Sequence, residues 1–348
     1  MAMTTLPLPE RCRRLALVGL TLGLALMPGA AAAEPFRLIV THLEPPLVPN
    51  SVMDLALELG YFEREGVEVE LVRVQQTPSA LAALQAGQGE MANIGVDALL
   101  LRHAQGDDSL VAVGSPNTSL PFLIAARDDF GSVAKLAGAS FGVGRLGSLD
   151  HSLSTRVLSS LGADPDAMEI VALGQPAVRA QALAAGRIDA TTVSIGVWLS
   201  LPDKTGMEVL VDPDAYFAAA PVVNKVNVVP RTVLEDRRDE VEAVTAALVA
   251  VSRDFAADPD LWIEAMAPYG GELGPEDFGT LADAFAGAWM VNGGLDAQAL
   301  AFTGDWLAGT EDFADAEMPT LDQWVDFSAV DAVLDRLGTA PGGDEPNR

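Results

Sequence analysis

Glycine, serine and histidine residues cluster in one ten-residue segment, Gly142-Val143-Gly144-Arg145-Leu146-Gly147-Ser148-Leu149-Asp150-His151. The apolar residues before it predict a strand that ends near Gly144, and Ser148 is a typical capping residue at the start of a helix. Glycine lets backbone N–H groups approach a ligand closely, and a helix start carries a partial positive charge. The segment therefore predicts a site for a carboxylate, a sulfonate or a similar oxyanion.

Two other interpretations of this segment stay open. Gly142, Gly144 and Gly147 satisfy the bare G-x-G-x-x-G pattern of dinucleotide-binding turns. The segment lies in the middle of the chain, however, and the acidic residues that follow it, Asp164 and Asp166, fall in a proline-containing loop and do not close a strand. In the third interpretation Ser148 caps a helix and binds nothing.

Residues for catalysis and for metal binding are sparse. The P-loop pattern and the H-E-x-x-H zinc pattern do not occur, the three histidines, His42, His103 and His151, are far apart, and Cys12 is the only cysteine. Acidic residues are numerous, but none follow the spacing of a calcium loop. We therefore predict a protein that is not an enzyme and that holds no cofactor and no metal.

Strands and helices alternate around this segment. Strands are predicted at 36–41, 67–74, 91–96, 110–114, 140–144, 169–173, 190–194 and 208–211, with helices starting near Ser51, Thr77 and Asp97. This alternation implies right-handed βαβ units and largely parallel sheets, so the fold class is α/β.

The chain also matches itself at an offset of about 100 residues. Residues 84–92 resemble 183–191, and residues 67–69 resemble 168–170. Two lobes of one plan would explain both matches, although Ala-Gly before a strand is also common helix-ending chemistry. An apolar stretch at 222–229 is interpreted as the return crossing, and mostly helices follow Arg231. We predict a first lobe from 34–117 and 223–338, a second lobe at 118–222 and a flexible tail at 339–348.

The first 33 residues have the three parts of a secretory signal peptide. Arg11, Arg13 and Arg14 precede an uncharged apolar run, and Ala31-Ala32-Ala33 forms a cleavage site before Glu34. We therefore predict export to the periplasm and cleavage near Ala33, by the general or the twin-arginine route. The net charge of −28 repels phosphates and anionic lipids, which excludes nucleic acid as a partner.

Several segments, in order, resemble one family. Gly60-Tyr61-Phe62, Glu65-Gly66-Val67, residues 84–92, Lys135-Leu136-Ala137-Gly138, residues 147–151 and Asp189-Ala190 are similar to motifs of the sulfonate/nitrate/taurine-binding and thiamine-precursor-binding superfamily of periplasmic substrate-binding proteins. The resemblance covers about residues 36–240. This chain departs from the family pattern at Ser194 and Gly196, where the family often has Trp and Pro. It also lacks the Trp-x-Pro-Asn start of the thiamine-precursor binders in the loop 42–50, which leaves the identity of the ligand open.

The resemblance implies a type II periplasmic binding protein fold, two βαβ lobes joined by two crossing strands. It also implies a ligand in the cleft between the lobes and an ABC permease as the receiving partner. We expect a monomer that binds a small organic anion, with a neutral heterocycle such as a thiamine precursor, or a role as a sensor for a membrane receptor, as alternatives. Ligands of such sheets bind beyond the carboxyl ends of the strands. The candidate ligand-binding residues are therefore His42, Asn50, Gly95, Asp97, Asn117, Thr118, Arg145, Gly147, Ser148, His151, Ser194, Trp198 and Asn224.

Overall fold

The computed structural model describes residues 34–117 and 121–346. The predicted signal peptide and the candidate Thr118 lie outside the described residues. Within those residues, no helix is both long and apolar enough to cross a membrane.

Five strands form a first mixed sheet in the order β2-β1-β3-β10-β4. Strand β1 is parallel to β2 and β3, while β10 runs antiparallel to β3 and β4. The last strand therefore returns to this sheet after a long excursion, as predicted for the segment 222–229. The strands are β1 (Phe36–Val40), β2 (Val69–Arg73), β3 (Met91–Gly95), β4 (Leu110–Gly114) and β10 (Lys225–Pro230).

The remaining five strands form a second sheet on the same plan, in the order β7-β6-β8-β5-β9. Strand β6 is parallel to β7 and β8, and β5 is antiparallel to β8 and β9. The strands are β5 (Phe122–Arg127), β6 (Ser140–Val143), β7 (Glu169–Ala172), β8 (Ala190–Ser194) and β9 (Met207–Val211). Strand β5 was not predicted from the sequence, because periodicity alone does not distinguish a short apolar run from a buried helical segment. The two mixed sheets with flanking helices confirm the α/β class.

Helices cover the sheets and fill the C-terminal third of the chain. They are α1 (Val52–Glu58), α2 (Tyr61–Arg64), α3 (Thr77–Gln85), α4 (Val96–Ala104), α5 (Leu149–Ser160), α6 (Pro176–Ala184), α7 (Ile195–Leu199), α8 (Pro213–Ala219), α9 (Arg231–Asp236), α10 (Arg238–Ala257), α11 (Pro259–Met266), α12 (Pro275–Phe285), α13 (Ala297–Ala308), α14 (Leu321–Trp324) and α15 (Ser328–Leu337).

The aromatic residues of these C-terminal helices mostly serve as core. Trp262 is fully buried and packs edge-on against Phe285, with ring centroids 5.1 Å apart. Its indole N–H donates to the hydroxyl of Ser51 at 3.1 Å. Ser51 lies where a helix was predicted to start, but its side chain does not cap that helix. Instead a short 3-10 turn (Pro49–Ser51) leads into α1, and the hydroxyl binds this tryptophan, because a buried indole N–H requires an acceptor.

The C-terminal tail is docked, although its Gly/Pro/Asp composition predicted a flexible segment. Asp344 is 3% exposed, and its carboxylate accepts the backbone N–H groups of Asn292 and Gly294 at 2.9 and 2.6 Å. The side-chain amide of Asn292 donates in turn to the carbonyl oxygens of Ala340 and Asp344. Composition alone could not reveal these partners, because they lie about fifty residues earlier in the chain.

Candidate functional site

Two adjoining cavities lie between the two sheets. The polar cavity, about 250 Å³, is lined among others by Thr77, Asp97, Arg145, Ser148, Arg179 and Asn224. The apolar chamber, about 470 Å³, is lined among others by His42, Pro46, Leu47, Ala177, Val197 and Leu201. Both share the wall formed by Thr41, Phe122, Gln175, Pro176 and Lys225. Because the lining comes from loops that follow strands of both sheets, the cavities occupy the place where such folds bind ligands.

Lys225 lines both cavities, in the wall that they share. It is the first residue of β10, and its ammonium group donates a hydrogen bond to the hydroxyl of Thr41 at the end of β1. Burial lowers the pKa of Lys225 to about 8, partly opposed by the attraction of Asp97. The neighbouring Asn224 was predicted from the sequence as a ligand-binding residue, whereas Lys225 was not. The signal was a single lysine at the start of an otherwise apolar, β-branched strand.

Asp97 bridges the two sides of the polar cavity. It lies in the first turn of α4, and its carboxylate accepts the backbone N–H of Leu149, the first residue of α5, at 3.3 Å. Burial raises the pKa of Asp97, although backbone hydrogen bonds and the nearby charge of Arg145 act in the opposite direction. One N–H group at the start of α5 therefore already has a carboxylate of the protein as its acceptor. Gly95, just before α4, donates its N–H to the hydroxyl of Thr77 at 3.1 Å.

The turn before α5 caps its helix as predicted, but it does not direct all of its residues into the cleft. The Ser148 hydroxyl accepts the N–H of His151 at 3.4 Å and donates to the carbonyl of Arg145 at 2.7 Å. The N–H of Gly147 is taken by Nδ1 of His151 at 3.2 Å. Arg145 and Ser148 line the polar cavity.

Gly147 and His151 line a separate groove beside α13. A Cβ atom on Gly147 would lie 2.7 Å from a carboxylate oxygen of Asp312, and its φ of +71° also favours glycine. From the sequence, this turn is predicted to bind an oxyanion through its backbone N–H groups, but the N–H of Gly147 is taken by His151, and Gly147 lines this groove and neither cavity. A side chain at this position would therefore meet Asp312 in the groove, whereas Ser148 lines the polar cavity.

A buried arginine holds the turns of the second sheet in place. Arg179 is 3% exposed, donates to the carbonyl oxygens of Gly174 and Thr192 at 2.7 and 2.9 Å, and pairs with Asp150 at 3.2 Å. The other oxygen of Asp150 accepts the N–H of Gly144 at 2.7 Å. The pair fixes the strand-to-helix turns that line the polar cavity. No sequence pattern marked Arg179, since its partners come from three different turns and strands.

Four asparagines form a buried chain of amides near the cleft. Asn117 donates to Asn50, Asn50 donates to Asn93 at 3.2 Å, and Asn93 donates to Asn227 of β10 at 2.9 Å. Asn50 lines the apolar chamber, whereas Asn117 is fully buried. This chain of amides links Asn117, which follows β4, to Asn227 in β10, the strand that follows the connection from β9. The structure thus gives Asn117 protein partners among these amides.

His42 and Ser194 line the apolar chamber. Nε2 of His42 lies 2.7 Å from the carboxylate of the fully buried Asp54 side chain, whose other oxygen is 2.7 Å from Arg73. Ser194 caps α7 by accepting the N–H of Val197 at 3.4 Å. Trp198 packs against the core and does not line either cavity. Within the described residues, no cluster of three or more His, Cys, Asp or Glu side chains could hold a metal ion.

The sequence of the chain matches one known family. The family model described as NMT1/THI5 like matches residues 52–261, which span most of the strands of both sheets. The chain belongs to the NMT1/THI5-like family. A Brucella abortus (strain 2308) protein named as a binding protein is 27% identical over 189 residues, 54% of this chain and 56% of the relative. This chain thus spans about half the length of the curated relatives that it matches.

Solved structures share the fold of this NMT1/THI5-like chain. The ligand-binding component of an ABC-type import system from Staphylococcus aureus has a TM-score of 0.67 and 15% identity, over 86% of this chain and 98% of that one. The periplasmic aliphatic sulphonate binding protein of Escherichia coli has a TM-score of 0.65 and 18% identity, over 83% and 91%. The desulfurization enzyme DSZB has a TM-score of 0.65 and 20% identity, over 87% and 99%.

The departure of this family member at Gly196 has a structural reason. The loop after β1 lies directly against the first turn of α7, so a Cβ atom on Gly196 would overlap the carbonyl oxygen of Leu47 and lie 2.6 Å from its Cβ. Only glycine permits this close approach. The contact joins a loop after the first sheet to a helix after the second, at the edge of the apolar chamber.

Proposed function

We propose that this protein is an exported solute-binding protein that captures a small organic anion, a sulfonate or a carboxylate, between its lobes. The lobes we propose are residues 34–117 with 223–338, and residues 118–222. They would close around the ligand by rotation about the two connections that join the sheets. The captured ligand would pass to the membrane subunits of an ABC permease.

The observation that carries this proposal is the ammonium group of Lys225. It faces both cavities from the strand that returns to the first sheet, in a protein whose net charge is −28. Arg145 adds a second positive charge to the polar cavity, where Arg179 is already paired with Asp150. A cation in the cavity lining is suited to an anionic ligand even in a protein with so many acidic residues, because the interaction with a ligand at short range depends on the nearby charges and not on the net charge of the protein.

Export and transport are supported by the fold neighbours. Their names describe a periplasmic binding protein and a component of an ABC-type importer, and this chain carries a predicted signal peptide. We propose that the protein acts as a periplasmic monomer. A role as a ligand sensor for a membrane receptor would use the same cleft. The two roles differ in the partner, so a permease that co-purifies with the ligand-loaded protein would favour uptake.

We propose binding without catalysis, although one fold neighbour is named an enzyme. The bare G-x-S-x-G pattern occurs once, from Gly138 to Gly142. Its serine, Ser140, opens β6 at the end of the strand away from the cleft, and its hydroxyl donates to Asp189 at 2.8 Å. In the cavities, His42 is directed at Asp54 by its Nε2. Of the hydroxyl and amine groups in the same lining, Ser194 accepts the N–H of Val197 and Lys225 donates to Thr41, so these groups are engaged with partners other than His42.

Calorimetry against matched ligands tests the proposal. The mature protein would be titrated with sulfonates, with carboxylates and with neutral heterocycles of similar size. We expect sulfonates or carboxylates to bind and neutral heterocycles to bind weakly or not at all. Binding of the neutral compounds alone would overturn the anion assignment and favour a thiamine-precursor type of ligand. Recovery of the bound ligand chemically unchanged after prolonged incubation is the expected result for a binding protein.

A further inference from the structure

The polar cavity contains carboxylates of the protein beside its positive groups. Among the residues described in its lining, two are acidic, Asp97 and Asp150. Both oxygens of Asp150 have partners on the side of the second sheet, because one pairs with Arg179 and the other accepts the N–H of Gly144. Asp97 differs from Asp150, since it belongs to the side of the first sheet and its carboxylate reaches a partner on the opposite side of the cavity.

The contact of Asp97 joins helices that follow strands of different sheets. Asp97 lies in α4, which follows β3 of the first sheet, and Leu149 begins α5, which follows β6 of the second sheet. The carboxylate of Asp97 accepts the Leu149 N–H at 3.3 Å. A neutral hydrogen bond, from the side-chain amide of Gln175 to the carbonyl oxygen of Gln75 at 2.7 Å, also crosses between the two sides. The Asp97 contact thus adds a charged hydrogen bond that holds the two sides of the cleft together.

The groups that face Asp97 are also those that an acidic ligand would use. The carboxylate attracts the Lys225 ammonium and partly offsets the lowering of its pKa by burial, and the charge of Arg145 favours the ionised form of Asp97. The Leu149 N–H belongs to the first turn of a twelve-residue helix, where the backbone attracts negative charge. A ligand anion and the Asp97 carboxylate therefore compete for the same positive groups.

We propose that Asp97 is an internal competitor of the ligand, whose carboxylate binds the positive groups of the polar cavity and holds the lobes together until an acidic ligand displaces it. This inference rests on the proposed function and adds an autoinhibitory contact to it. The contact keeps the affinity for anions below the value that Lys225, Arg145 and the start of α5 would give without it.

Asp97→Asn tests the inference, because it removes the charge and keeps the shape of the side chain. By calorimetry with ethanesulfonate and propionate at about pH 6.5, below the Lys225 pKa of about 8, the Kd should fall at least about fivefold, since a hydrogen bond to a charged group is worth a factor of about 10 to 150. Asp212→Asn is the matched control, because it makes the same change of net charge at the exposed start of α8, outside both cavities, where asparagine caps a helix as well as aspartate does. A Kd in Asp97→Asn that is within twofold of that of the parent, or higher, for both probes would overturn the inference.

Small-angle scattering of the ligand-free protein tests the bridge between the lobes separately. We expect a larger radius of gyration for Asp97→Asn than for the parent and for Asp212→Asn. Leu149→Pro should have the same effect, because it removes the N–H at a first helical position that accepts proline after the extended Ser148, whereas Leu149→Ala keeps the N–H and controls for the lost side chain. Unchanged radii in both Asp97→Asn and Leu149→Pro would overturn the bridge. If neither probe binds the parent or Asp97→Asn, the proposed function fails and the competitor role falls with it, whereas binding to the parent without a gain in Asp97→Asn refutes the competitor role alone.

Discussion

Replacement of Lys225 by methionine removes the cation on which anion binding is proposed to depend. The change keeps the length of the side chain and deletes the ammonium group that contacts Thr41. A hydrogen bond to a charged group contributes about 1.5–3 kcal/mol, so Lys225→Met should weaken binding of an organic sulfonate or carboxylate by roughly 10- to 150-fold. Lys135→Met is the matched control, because it makes the same change at an exposed 3-10 turn outside both cavities.

The pH dependence gives the same prediction a second readout. The pKa of Lys225 is about 8 because burial disfavours the charged form. A bound anion favours the protonated ammonium. The affinity for the anion is therefore highest below about pH 8, and it falls as the pH rises above this value, by at most about tenfold per pH unit. Calorimetry at pH 6.5, 8 and 9.5 should show this loss in the parent and in Lys135→Met, and not in Lys225→Met. If Lys225→Met binds the anion with a Kd within twofold of that of the parent, or keeps the pH profile of the parent, the proposed role of Lys225 is refuted.

Three further substitutions, one of them with a control variant, test individual contacts of the fold. Gly196→Ala should hold the lobes apart and raise the Kd for the anion at least tenfold, without a lower melting temperature. Its control is Gly279→Ala within α12, where a Cβ meets nothing within 4 Å. This control should leave the Kd unchanged and raise the stability of the protein by up to about 1 kcal/mol. Asp344→Ala leaves two buried backbone N–H groups without an acceptor, so thermal denaturation should show a loss of about 1–3 kcal/mol for each, and an unchanged melting temperature would contradict the docked tail. Burial alone would raise the pKa of Glu90, but hydrogen bonds from Arg37 lower it. The ionised carboxylate of Glu90 therefore stabilises the folded protein above the ordinary carboxyl pKa, and this stabilisation is lost as the pH falls through the lowered pKa. The loss of stability in acid should consequently be less steep in Glu90→Gln.

The chain's local patterns were sufficient for the class of fold. The alternation of short apolar strands with capped helices predicted nine of the ten observed strands, because each pattern reflects burial of a face within a few residues. The missed strand, β5, is a short apolar run, and periodicity alone does not distinguish such a run from a buried helical segment. The family assignment also followed from the sequence, since ordered motifs survive where overall identity is low. The limits of the lobes, the export signal and the ligand stay predictions.

The tertiary structure decided which of the candidate residues share a cavity. Sequence indicated the turn before α5, yet the direction of each side chain there depends on partners elsewhere: Gly147 faces Asp312, and the start of α5 meets Asp97. Lys225 became visible only when β10 placed it beside Thr41, 184 residues earlier in the chain. Short-range periodicity specifies strands and helices, but a binding site consists of side chains brought together by the sheet order, and that order is determined by contacts between distant parts of the chain.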